Sequence, residues 1–179
     1  MWLADVSGKA KRHNQILFSK ESFLLVDLRH LIDQSNRRVL ILWVLELAEE
    51  TALRLAERYP EDLRPREAID AARAWAAGEV KMPIAKQAIL NCHAMAKVLT
   101  DPADIARCHA VGQACSVVHT AGHALGYPMY ELTAIVLELG LEDCKEPIEQ
   151  RVMYYKQRLR YWMEYEKNCQ QSWAGFLKK

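Results

Sequence analysis

Charge is missing from one long stretch of this 179-residue chain. Cys108 to Tyr130, CHAVGQACSVVHTAGHALGYPMY, holds no Asp, Glu, Lys or Arg, although charged residues make up 26% of the whole. A helix without a charged face is normally buried on all sides. Glycine and proline are also scarce, at seven and six residues, and most stand where helices should begin or end. No window alternates apolar and polar residues between hairpin turns, which argues against a β-rich fold. The motifs GxxxxGKS/T and GxGxxG are absent, so no phosphate-cradling loop is expected. Ser116 lies outside any GxSxG elbow. The five cysteines (92, 108, 115, 144 and 169) form no CxxC pair. Their odd number, with no apolar leader after Met1, predicts reduced thiols in the cytosol. The apolar run Val39 to Leu45 falls far short of the roughly 20 residues needed to span a bilayer.

What is present reads as helix after helix. Half of the residues are hydrophobic, 51%, enough for a sizeable core in one domain spanning residues 1–179. Asn36 is placed to cap a helix from Arg37 to Tyr59, closed by Pro60. Pro65 opens a second that stops at Gly78. Met82-Pro83 opens a third, running to Leu99. Asp101-Pro102, with Asp104 following, opens a fourth that the uncharged stretch carries to Gly126. Pro128 opens a fifth, ending at Gly140, and Pro147 a last one, to about Cys169. A further helix is expected over Lys20 to Ile32. The predicted architecture is all-α: a bundle or orthogonal array of six to seven helices around a central uncharged Ala/Gly/Cys/His helix. An N-terminal extension (1–35) and a C-terminal aromatic and basic helix (145–179) flank it.

The uncharged stretch also carries the chain's chemical candidates. On one continuous helix, Cys108, Cys115, His119 and His123 fall on a single stripe. Cys115, His119 and His123 suit Zn²⁺, with Cys108, Cys92 or His93 as a further ligand. The spacing HTAGH lacks the glutamate of HExxH, which argues against a metalloprotease. The other reading is packing: small cysteines fill a tight core, and the histidines bond to carbonyls or side chains.

Charge elsewhere suggests surfaces. A formal net charge of +1 gives no overall drive toward nucleic acid or membrane. Glu46, Glu49 and Glu50 stand at spacings that suit solvated i, i+4 pairs with Arg54 and Arg58. In the C-terminal helix, Ile148, Val152, Tyr155, Leu159 and Trp162 make one packing stripe with Arg and Lys beside it. It matches no nucleic-acid recognition motif. The aromatic C-terminal helix, with Tyr154, Tyr155, Tyr161, Trp162 and Tyr165, could instead form a homodimer seam in a self-associating structural or regulatory module.

Four segments resemble a known family. They are RRVLILWVLELAEETALRLAERYPED (37–62), PREAIDAARAWAAGEV (65–80), and NCHAMAKV (91–98) followed by ARCHAVGQACSVVHTAGHALGYPMYELTAIV (106–136). Trp43, Glu49, Arg66, Arg73, Trp75, Gly78, His93, Gly112, Gln113, His119, His123 and Tyr130 carry the likeness. The chain is similar, over about residues 36–139, to the small helical bacterial proteins known as putative immunity proteins. The resemblance implies an α-helical fold and a cognate toxin as partner; with no recognisable catalytic motif, no enzymatic activity or cofactor is expected. The acidic segment with Glu131, Glu138, Glu142 and Asp143 is then the first candidate for meeting a basic toxin. Glu46, Glu49, Glu50 and Glu57 come next. Arg73 is expected to pair with Glu79 or Glu49.

Overall fold

The computed structural model describes residues 1–178. Among them are eight α-helices and no strand: α1 (Trp2–Lys11), α2 (Val26–Asp33), α3 (Arg37–Arg58), α4 (Arg64–Ala77), α5 (Met82–Met95), α6 (Pro102–Ser116), α7 (Gly126–Asp143) and α8 (Lys145–Tyr165). None of these is long and apolar enough to cross a membrane. The helix beyond the expected six to seven is α1. It is hidden from pattern reading because it buries fully only Val6.

The start and stop signals act locally. The Asn36 side chain accepts the Val39 amide at 3.0 Å. Asp101 accepts the amides of Ala103 and Asp104 at 2.8 and 3.4 Å. Each satisfies a donor that the first turn leaves unpaired. Gly78 closes α4 in the left-handed conformation, φ 83°, where a side chain is strained.

The uncharged stretch is not one helix, which corrects the sequence reading. α6 ends at Ser116, whose hydroxyl donates back to the Gly112 carbonyl at 2.8 Å. Val117, Val118 and Thr120 are β-branched and Gly122 is flexible, all weak helix formers. Burial of Val117 and Val118, both fully enclosed, is satisfied by an irregular turn. A short 3₁₀ segment, Ala121–His123, leads into α7. Absence of charge signalled burial correctly along α6 and at Val117 and Val118, but His119, Thr120 and Gly122 are exposed, and burial does not require a helix. Likewise α5 stops at Met95, short of Leu99, and α8 at Tyr165.

Helix α6 packs against α3, α4, α5 and α7. Its Ala110, Val111, Ala114 and Cys115 are fully buried. Helix α3 crosses the core with Trp43 enclosed, its indole N–H donating to the Tyr155 carbonyl of α8 at 3.0 Å. The glutamates of α3 pair with other helices rather than along their own. Glu46 takes Arg158 at 2.6 Å and the Trp162 indole at 2.9 Å. Glu50 takes Arg151 and the Tyr154 hydroxyl, both at 2.8 Å. Glu49 takes Arg66 at 3.0 Å and also Arg73, one of the two partners expected for that arginine. The expected solvated i, i+4 pairs do not form. Arg54 reaches Glu138 at 2.8 Å instead, and Arg58 reaches Asp101 and Asp104 at 2.9 and 2.7 Å.

After α8 the chain does not continue as a helix to Cys169. A 3₁₀ turn at Glu166–Asn168 redirects it back over α4. There the Ala174 amide donates to the Ala76 carbonyl at 2.7 Å. Trp173 and Leu177 are buried, and Arg38 donates to the Leu177 carbonyl at 2.6 Å.

Candidate functional site

A cleft of about 370 Å³ opens between α4, α5 and the turn after α6. α4 contributes Trp75. One face of α5 contributes Met82, Lys86, Ile89, Leu90 and His93, and Ser116, His119 and His123 complete the lining. Trp75 is 7% exposed and held between two rings, His119 stacked at 5.9 Å and Phe176 tilted at 5.9 Å. Met82 and Leu90 stand at the cleft 41% and 51% exposed, and Ile84 on the same helix is 60% exposed. The helix tolerates this exposure because Ala85, Cys92 and Met95 anchor its other face, with Ile89 buried at the boundary between the two. Because both faces of α5 are apolar, its periodicity alone does not mark an outward site. The signal that could have marked it is that residues 80–100 contain Lys81, Lys86 and Lys97 but no Asp or Glu.

The inner end of the cleft is a histidine cluster. His93 and His109 share a hydrogen bond between their Nδ1 atoms at 2.9 Å. One must donate and the other accept, so the bond requires at least one neutral imidazole. Burial pushes His93 down to about 4, and the neighbouring His109 and His123 push the same way. Burial also lowers His109, whose ring lies 5.3 Å from that of Tyr130. The His93 ring occupies the space beside Gly112 where a β-carbon would otherwise be. His123 Nδ1 bonds the Gln113 side-chain carbonyl at 2.9 Å. The His119 backbone carbonyl accepts Arg37 at 2.8 Å.

The proposed ligand stripe is divided by this arrangement. Cys108 and Cys115 lie fully buried on α6, their thiols pushed up to about 12 by burial. His119 and His123 lie beyond the helix end, with His119 against Trp75. Among the described residues no three His, Cys, Asp or Glu side chains gather as a metal ion requires. Cys115, His119 and His123 therefore do not converge, because the helix that was to align them ends at Ser116.

The acidic candidates divide too. Glu131 is enclosed between Arg151, at 2.9 and 3.0 Å, and the Tyr155 hydroxyl. Burial raises its carboxyl while Arg151 pulls it down. Glu138 bridges Arg54 and Arg107 at 2.8 and 2.6 Å. These two hold helices together. Glu142 and Asp143 are exposed at the end of α7.

No curated protein and no solved structure matches this chain. A family model does, over residues 30–158, described as Imm-5 like putative immunity protein. The match is wider than the expected 36–139 and takes in the last turn of α2 and much of α8. It contains every residue that lines the cleft. Covering well over half of the sequence, it establishes that the chain belongs to the Imm-5 like putative immunity protein family.

Proposed function

We propose that this protein is an immunity protein that binds a cognate bacterial toxin and blocks it, inside the cell that produces both. The observation that carries this reading is the family match over residues 30–158. The geometry supports it by supplying what a binding partner needs. The frame is cross-linked between helices by ion pairs such as Arg107 of α6 with Glu138 of α7 at 2.6 Å. The outward face of α5 offers exposed apolar side chains around an aromatic-lined cleft. Stable interfaces bury about 800 Å² per partner and concentrate their energy in a few apolar and aromatic anchors at the centre. A cleft holding Trp75 and flanked by Met82, Ile84 and Leu90 provides such a centre.

The test is co-expression with the toxin encoded beside its gene. Growth should be restored by the wild-type chain, and the two proteins should co-purify. Continued killing with the protein well expressed and folded would overturn the reading.

A further inference from the structure

We infer that the α4–α5 cleft accepts an acidic, apolar peptide segment of the partner. An aliphatic or aromatic side chain enters beside Trp75, and a neighbouring carboxylate meets Lys86. This rests on the toxin-binding reading and assigns that surface its chemistry.

Three observations carry it. The first is size: about 370 Å³ is room for one or two side chains, at the lower end of pockets that hold small ligands. The second is charge. Lys86 is the only lysine or arginine lining the cleft, and it forms no ion pair among the described residues. No lining residue is acidic. Most other exposed arginines around the frame already face carboxylates, such as Arg54 with Glu138 and Arg66 with Glu49. Other lysines, Lys81 and Lys97 among them, are also without an ion pair among the described residues, but Lys86 is the one that lines the cleft, where opposite charge on a partner would favour encounter and register. The third concerns the alternative occupant, a second copy of this chain. A two-fold contact through this face would set α5 against α5. Residues 80–100 would then bring Lys81, Lys86 and Lys97 toward their equivalents with no carboxylate in either segment. Like charges at such a contact oppose association. The chain's own tail does not fill the site either, since Phe176 already packs on Trp75 and the cleft remains open beside it.

The experiment titrates the full-length protein with two blocked peptides, one alternating Phe and Asp and one alternating Phe and Lys, followed by NMR. Expected are shifts of the Trp75 indole and of the α5 amides around Leu90 with the acidic peptide, weakened roughly tenfold in Lys86→Glu, and lost in Leu90→Asp. Lys86→Glu should gain affinity for the basic peptide. No shifts with millimolar acidic peptide, equal binding of both peptides, or shifts that map elsewhere would overturn the proposal. Leu90→Asp and Lys86→Glu are both exposed, and an unchanged amide spectrum of each free variant shows that it is folded. The same variants in the co-expression assay separate the two readings. Toxin protection that survives both substitutions overturns the cleft and leaves immunity standing, whereas failure of wild-type protection overturns immunity itself.

Discussion

At Gly112, the place of a side chain is filled by the His93 ring of the neighbouring helix. Gly112→Ala should therefore drive α5 away from α6 and cost about 1–3 kcal/mol, the usual range for overpacking. His93→Ala should relieve much of that clash. A double-mutant cycle by urea unfolding is expected to show strong coupling between the two positions. His93 also makes stability depend on pH. Unfolded imidazole ionises near about 6.5, whereas folded His93 resists protonation down to about 4. As pH falls through that window the unfolded chain takes a proton that the folded chain refuses, so stability declines; at higher pH the contribution is flat. His109 and His123 face the same ring and add to the effect. By pH 4 the loss from His93 should approach roughly 2–3 kcal/mol. Comparing urea midpoints of wild type and His93→Gln from pH 7 to pH 4 isolates it from the carboxylates. At Asp104, fully enclosed and bonded to Arg107, Arg58 and Tyr59, one partner is indispensable. Arg107→Ala leaves a buried carboxylate short of its guanidinium. It should cost about 3 kcal/mol, toward the lower end for broken buried pairs because Arg58 remains.

Among the elements, boundaries set by a cap were legible and helix continuity was not; the helix expected from Lys20 begins only at Val26. Asn36, Asp101 and Gly78 act through backbone groups a few residues away, so their effect is written in the local sequence. The end of α6 depends on Val117 and Val118 finding a buried place, a tertiary fact that an uncharged stretch cannot express. That single misreading produced the metal stripe. Glu131 was misjudged for a related reason. An acidic residue reads as exposed until Arg151 and Tyr155, some 20 residues later, are known to close over it. Arg73 was legible in part, because Glu49 was one of two carboxylates named for it. The returning tail was missed: Trp173 and Leu177 are too sparse to show a period, yet both are buried against the frame. Trp173→Ala should lower stability by about 3 kcal/mol, as for other large aromatic truncations. It should also loosen Phe176 from Trp75, visible as higher Trp75 indole mobility by NMR. The apolar stripe of α8 packs inward through Ile148, Val152, Tyr155 and Leu159, whereas Tyr161 and Tyr165 on the same helix stay exposed.

For the molecule as a whole, a formal charge of +1 conceals a division. Carboxylates and guanidinium groups are matched between helices around α3, while α5 carries lysine without acid. Raising salt from about 0.1 to about 1 M shortens the screening length from about 10 to about 3 Å. Folding stability should fall by only about 1–2 kcal/mol, because exposed pairs contribute little and buried ones are poorly screened. Association with an acidic partner should weaken far more. Thermal unfolding and binding measured in the same salt series would check both. The anchoring of α5 has a consequence for how such a protein changes over time. Ala85, Ile89, Cys92 and Met95 tie the helix to its neighbours, while Met82, Lys86 and Leu90 take no part in that attachment. On the toxin-binding reading proposed above, substitutions at these outward positions would alter which partner is read while leaving the scaffold's folding untouched. One frame could then follow a drifting adversary by changing a few side chains, each tolerated before it is useful.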